Sequence, residues 1–228
     1  MIYAMSDLHG CYEKYLKMLE KINFGAEDTM YVLGDIIDRG SGGIKILMDM
    51  MSHENIIVIR GNHENRAYKV MRFISQPSDM FDAEEIVTLM RSWHLDAGGV
   101  TYAAYMELDD SEKAKLVAYM RRFLFYKEIE VNGRKFFMAH TVPKKAEMQD
   151  PQKMLRHLFV DGEPEYEKEY FSDKYIVTGH TPTGLIDEKY TGKIMKANNH
   201  IAIDCGAIFG NPLGCICLDT LEEFYVED

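Results

Sequence analysis

An α/β fold is what these 228 residues predict. Three observations lead there. Short β-rich apolar runs alternate with helix-periodic stretches through the first third of the chain. Residues from about 66 to 127 keep helical spacing and show no strand pattern. From 128 onward, apolar runs bounded by turn residues resume.

The elements follow in order. Ile2-Tyr3-Ala4-Met5 reads as a strand. Tyr12, Tyr15, Leu16 and Leu19 then recur at helical spacing. Residues 30–33 form the next strand pattern, 44–51 a helix, and 56–59 a further strand. This strand–helix succession points to parallel pairing. Within the helical insertion, 84–90 and 112–125 carry the clearest periodicity, with Asp110 or Ser111 available as an N-cap. Such an insertion either caps a site or fills space by packing. Residues 128–131 and 135–139 read as strands around an Asn132-Gly133 turn of the kind that favours tight hairpins. A helix-compatible stretch around 150–158 leads into an acidic loop, Asp161-Gly162-Glu163-Pro164-Glu165. Strand patterns at 175–177, 201–203, 213–218 and 224–226 complete the chain. No linker divides it, so residues 1–228 are expected to form a single domain with the insertion at about 66–127.

Composition narrows the function. The chain is 46% hydrophobic and 28% charged, which suits a globular domain with a sizeable core. Its net charge of −11 argues against a general nucleic-acid binder, because such binding rests on neutralising phosphates. The start, MIYAMSDLHG, lacks the basic and apolar regions of a signal peptide. No apolar run approaches the roughly 20 residues that span a bilayer, so no membrane association is expected. The four cysteines lack zinc-finger spacing. Alternation places Cys215 and Cys217 on one strand face, as reduced structural residues of a cytoplasmic protein.

The chemistry gathers where strands end. Exits read Ser6-Asp7-Leu8-His9-Gly10, then Gly34-Asp35-Ile36-Ile37-Asp38-Arg39-Gly40, then Arg60-Gly61-Asn62-His63-Glu64, then Ala139-His140-Thr141, and finally Thr178-Gly179-His180-Thr181-Pro182. Open α/β sheets place ligands at these carboxyl ends. A set of Asp, His and Asn without thiolate suits a borderline or hard divalent cation such as Mn²⁺, Fe or Zn²⁺. A pair of cations needs a bridging carboxylate, and Asp35 is the central candidate. Blander roles exist for single residues. Asp7 could cap the following helix, Asp38 and Arg39 could form a surface ion pair, and a lone His140 could be structural. His53, His94, His157 and His200 lack strand-exit context and read as structural. Joint occurrence at successive exits favours a metal site.

Taken together, SDLHG, GDIIDRG, RGNHE, the single His140 and GHTP resemble the ordered motifs of the phosphoprotein phosphatase branch of the calcineurin-like metallophosphoesterases. The likeness is to the small bacterial and phage serine/threonine protein phosphatases, and Ile203-Asp204-Cys205-Gly206-Ala207 resembles a further family stretch. The resemblance implies a four-layer sandwich with two central β-sheets flanked by helices. It implies two divalent metal ions, Mn²⁺ first, with Fe or Zn²⁺ as alternatives. Asp7, His9 and Asp35 would hold one, and Asp35 with Asn62, His140 and His180 the other. Arg39 would bind phosphate. His63 would protonate the leaving oxygen, oriented by Asp38.

Two departures stand out. The family's aromatic-x-arginine pair is represented only by Met154-Leu155-Arg156, where Arg156 would be a second phosphate ligand, and Thr141 replaces a Gly or Ala after the third histidine. The implied activity is a metal-dependent phosphomonoesterase acting on a phosphorylated protein or a small phosphoester. The alternative is symmetrical hydrolysis of a dinucleoside tetraphosphate. Relatives with that activity tend to lack the acid corresponding to Asp38 and to read GNHD where this chain reads GNHE. Oligomeric state is not readable from these residues.

Overall fold

The computed structural model describes residues 1–75 and 82–228. The chain opens with β1 (Ile2–Met5), α1 (Tyr12–Lys21), β2 (Thr29–Val32), α2 (Gly43–Met51) and β3 (Ile56–Val58). The helical region follows as α3 (Asn62–Ser75), α4 (Ala83–Trp93), α5 (Gly99–Met106) and α6 (Asp110–Arg121), with residues 76–81 outside the described ones. Then come β4 (Tyr126–Val131), β5 (Arg134–Ala139), β6 (Tyr175–Thr178), α7 (Thr183–Ile186), β7 (Met195–Ala197), β8 (His200–Ala202), β9 (Leu213–Cys217) and β10 (Glu223–Val226).

The strands form two five-stranded sheets, ordered β10-β9-β1-β2-β3 and β4-β5-β6-β8-β7. β1, β2 and β3 pair in parallel, as expected, and β9 closes against β1 antiparallel. Successive side chains on a strand point to opposite faces, and this sorts the apolar residues into layers. Tyr3, Met5, Met30, Val32, Ile56 and Val58 turn toward the helices. Ala4, Tyr31 and Ile216 turn toward the second sheet and meet Phe136, Met138, Val177 and Ile201. Phe137, Ala139 and Ile176 face outward from the second sheet against Phe159 and Tyr170. Two sheets face to face, with helices over the first and the segment carrying the short 3₁₀ helix Arg156–Phe159 and Tyr170 over the second, give the four-layer α/β sandwich. Cys215 and Cys217 share the helix-facing core, and all four cysteines are free.

Several local details differ from the sequence expectation. α6 is capped by Asp109, not Asp110 or Ser111. Its side chain accepts from Glu112 N–H while Glu112 Oε2 accepts from Asp109 N–H, a reciprocal capping box. The helix stops at Arg121 because Leu124 is drawn to the sheet edge, where it bridges Ile59 in parallel. Residues 150–158 hold two short 3₁₀ turns, Pro151–Lys153 and Arg156–Phe159, separated by the extended backbone of Met154. β7, too short to show a strand pattern, pairs with β8 through Asn198 and Asn199, both at positive φ (51° and 57°). α3 begins at Asn62, so the residues after Gly61 sit in a first helical turn. No helix among the described residues is long and apolar enough to cross a membrane.

Candidate metal centre

The polar residues at the ends of β1, β2, β3, β5 and β6 converge on one buried region. Six of the twelve non-glycine residues with positive φ among the described residues lie here: Asp7 (54°), His9 (40°), Asp35 (53°), Asp38 (71°), Arg39 (67°) and His180 (71°). Each such residue costs on the order of 1 kcal/mol, and a cluster of them marks a backbone held for function. Gly61 is needed for close approach: a Cβ there would lie 2.2 Å from Asp35 Oδ1. The absence of that atom lets α3 start directly against the Asp35 turn.

Two sets of donor atoms form. His9, Asp35 and His63 bring ligand atoms within 4.8 Å of one another, and so do Asp35, His140 and His180. Asp35 stands between them, with Oδ2 at 3.6 Å from His9 Nε2 and Oδ1 at 3.4 Å from His140 Nε2. The imidazoles are set from behind. His9 Nδ1–H donates to Ile37 O (2.9 Å) and His140 Nδ1–H to Leu33 O (2.7 Å), which leaves both Nε2 lone pairs facing inward. Metal-ligating histidines are oriented in this way. His140 Nε2 lies 3.1 Å from His180 Nδ1 and 3.0 Å from Asn62 Oδ1. The Asn62 side-chain amide closes the group, in contact with His140 Nε2 and 3.2 Å from both Asp35 carboxylate oxygens. The His140 Nε2 lone pair and Asp35 Oδ1, face to face at 3.4 Å, are unfavourable alone and favourable around a cation.

Asp7 is held beside this cluster by Ser6 Oγ–H and by the His180 backbone N–H, both on Oδ2 (the latter at 2.9 Å). Its Oδ1 is buried and has no hydrogen-bond partner among the described residues. It is therefore not the cap of α1, whose N-cap is Cys11.

Electrostatics report the same crowding. Burial, then the neighbouring Asp204 and Asp35 charges, push the Asp7 carboxyl well above the usual range. Burial and Glu64 do the same to Asp35. Burial lowers His9 to about 3, with Arg39 adding to the effect, and pushes His140 and His180 down. Neutral imidazoles and carboxylates that resist ionising without a positive partner fit a cation site.

Asp38 and His63 form a separate pair. Asp38 Oδ2 accepts from His63 Nδ1–H at 2.6 Å, with Asp38 fully buried and His63 1% exposed. The surface ion pair with Arg39 does not form. Arg39 is exposed, donates to His9 Nε2 at 2.7 Å and lies over the Phe209 ring. Arg156 is not brought into this group. It lies over the Phe125 ring and lines a cleft of about 620 Å³ with Arg60, Arg121 and Tyr68, to which none of the ligand candidates contributes. The 3₁₀ turn that replaces a continuous helix at 156–159 carries it there. Thr141 is buried, and its hydroxyl donates to Gly162 O at 3.1 Å, tying down the following loop.

Sequence reasoning missed several residues. Glu64 is fully buried and accepts four backbone N–H groups, from Asp35, Ile36, Ile37 and Gly61. Its place three residues after Gly61 in the first turn of a helix was the available signal. Asp204 is buried beside Asp7 and Asp35, and burial raises it to about 7. Arg66 bonds Asp96, whose carboxylate also lies 3.6 Å from His63 Nε2. Asp96 carried no signal, because its placement depends on how the insertion packs. Glu163 and Glu165 are met by Lys144 and Lys168, as expected of a solvated acidic face.

Comparison with known proteins agrees with this geometry. The calcineurin-like phosphoesterase family pattern matches residues 1–198. A serine/threonine-protein phosphatase 2 of Salmonella typhimurium is 28% identical over 140 residues, covering 61% of this chain and 57% of that protein. A symmetrical bis(5'-nucleosyl)-tetraphosphatase of Methylobacillus flagellatus is 39% identical over 70 residues, covering 30% of this chain and 25% of that one. The chain thus matches from a quarter to somewhat over half of these relatives' lengths. Among solved structures, a candidate diadenosine tetraphosphatase superposes with a TM-score of 0.67 at 12% identity, over 99% of this chain and 92% of that one. A serine/threonine phosphatase from Saccharomyces cerevisiae gives 0.60 at 13% identity, over 100% and 79%. At such identities the structural likeness is one of fold.

Proposed function

The chain belongs to the calcineurin-like phosphoesterase family, and on that premise we propose that it is a metal-dependent phosphomonoesterase of the serine/threonine protein phosphatase type. The observation that carries this reading is the buried Asp38–His63 pair at 2.6 Å. A serine or threonine alkoxide is a poor leaving group and needs a proton as the ester bond breaks, whereas a nucleotide phosphate leaves readily without one.

In this reading Asp7, His9 and Asp35 would hold one divalent cation. Asp35, Asn62, His140 and His180 would hold a second, with Asp35 shared. The donor set suits Mn²⁺ first, with Fe or Zn²⁺ as alternatives. The cations, when bound, supply positive charge that acidifies water and offsets the charge of the phosphoryl group. His63 holds a proton at Nε2 and passes it to the leaving oxygen, while Asp38 fixes the ring through Nδ1. Arg39 and Arg66 are the guanidinium groups nearest the centre, suited to hold phosphoryl oxygens. Arg39 shares His9 Nε2 with the site at 2.7 Å, and were His9 to hold a cation that guanidinium would be left free for substrate. The free thiols accord with the reducing cytoplasm.

A second reading, symmetrical cleavage of a dinucleoside tetraphosphate, is favoured by the name of the Methylobacillus relative. The deciding experiment strips the purified protein with chelator, restores Mn²⁺, and assays a phosphoserine peptide beside diadenosine tetraphosphate. Phosphate released from the peptide alone supports the phosphatase. Two ADP per dinucleotide, with little phosphate from the peptide, overturns it in favour of the second reading.

A further inference from the structure

The insertion reaches into the acid pair. Trp93, the last residue of α4, donates its indole Nε1–H to Asp38 Oδ2 at 2.7 Å, the same oxygen that accepts from His63 Nδ1–H at 2.6 Å. Trp93 is 2% exposed and Asp38 fully buried, so water does not compete for this oxygen. The other oxygen, Oδ1, has no partner among the described residues. With two donors on Oδ2, the carboxylate plane is set. With one, it is free to turn and exchange its oxygens, and the imidazole turns with it.

The next residues hold the same turn from other sides. Thr101 Oγ1 accepts the Asp38 backbone N–H at 2.9 Å, and Ala97 O accepts the Arg39 backbone N–H at 3.2 Å. The chain between Trp93 and α5 is a wide turn, His94–Gly98, with Ala97 at φ 61°. Gly98 is shaped by the indole: a Cβ there would lie 2.3 Å from Trp93 Nε1, although its φ of −73° is open to any residue. The Tyr102 ring meets the indole edge-on at 6.3 Å.

We propose that Trp93 is a positioning residue for the general acid: its indole N–H fixes the Asp38 carboxylate, and through it the proton-bearing orientation of His63. This makes the insertion part of the reaction machinery, and it rests on the reading of His63 as the acid.

The test is a leaving-group series on the Mn²⁺-loaded protein, comparing p-nitrophenyl phosphate with phenyl phosphate and a phosphoserine peptide. Trp93→Phe keeps the ring and removes the donor. Gly98→Ala keeps the donor and displaces the ring, and serves independently where the first variant folds poorly. Asp38→Asn is the reference. Both test variants are expected to lose kcat by roughly tenfold on the poor leaving groups, the scale of one hydrogen bond to a charged group. The loss should be several-fold smaller on p-nitrophenyl phosphate, with KM little changed, and should follow the pattern of Asp38→Asn. Equal losses across the series, or none, overturn the role of Trp93 while Asp38→Asn still shows the leaving-group pattern. If Asp38→Asn itself shows no such pattern, the acid reading falls and the proposal with it.

Discussion

The carboxylate of Glu64 closes on the backbone N–H of Asp35 at 2.8 Å, and it does so from inside the first turn of α3. The same group takes Ile36 N–H at 2.8 Å, Ile37 N–H at 3.3 Å and Gly61 N–H at 3.1 Å. One side chain thereby ties the β2 exit to the β3 exit and holds Asp35 in its left-handed conformation.

Glu64→Ala leaves these buried donors without acceptors. Each such loss costs about 1–3 kcal/mol, and several share one cavity, so the variant should lose on the order of 4 kcal/mol in urea unfolding. Glu64→Gln keeps one acceptor oxygen and should lose about half of that. A Glu64→Ala protein with an unchanged urea midpoint would show that the brace carries no stability.

Chelation should lower thermal stability as well as activity. The buried carboxylates of Asp7, Asp35 and Asp204 are all raised by burial, with mutual repulsion adding at Asp7 and Asp35, and a cation relieves that strain. At a hundredfold excess over Kd a single bound ion contributes about 2.7 kcal/mol, or roughly 5–10 °C in Tm for a chain of this size. Asp35→Asn should bring the Tm values with and without Mn²⁺ together. A large Mn²⁺-dependent shift retained in that variant would remove Asp35 from the centre.

Much of this was legible in the sequence, and the part that was not has a physical pattern. Strand exits could be read because apolar runs mark strands and the residues after them are fixed in space by the sheet. Asp7, His9, Asp35, Asn62, His63, His140 and His180 meet for that reason. Trp93, Asp96 and Thr101 could not be read, because they reach Asp38 and His63 through helix packing, which no local period encodes. β7 escapes a sequence reading for a different reason. Its run is too short to show alternation, and the signal was the Asn198-Asn199 turn, since asparagine tolerates the left-handed conformation both residues adopt. Only the family resemblance points to Arg156, and the break of 150–158 into 3₁₀ turns sets it in another cleft.

The arginines should separate in kinetics. Arg39→Ala and Arg66→Ala are each expected to raise KM for a phosphopeptide by roughly tenfold, the scale of a charge-assisted hydrogen bond. Arg156→Ala should change it by less than about twofold. Steady-state kinetics on one peptide checks all three, and a tenfold rise in Arg156→Ala would return that residue to the phosphate site.

His200 sets an acid limit on stability from outside the metal centre. It is 1% exposed, its Nε2 shares a hydrogen bond with Thr178 Oγ1 at 2.8 Å, and its ring packs against Tyr166 at 4.7 Å. Burial lowers its pKa from 6.5 to about 3. A histidine depressed on folding binds its proton more weakly in the native than in the unfolded chain. Its neutral form therefore contributes full stability above pH 6.5, and that contribution is lost as the pH falls from 6.5 toward about 3. At pH 5 the loss from this residue is on the order of 2 kcal/mol. His200→Phe keeps the ring between Tyr166 and Tyr170 and removes the titrating group, so its urea midpoint should fall less steeply between pH 7 and 5 than that of the unaltered chain. The comparison is of slopes, which the variant's overall stability does not affect. An unchanged slope would assign the proton uptake to His9, His140 and His180, and Mn²⁺, which competes with protons at those ligands, would then flatten it.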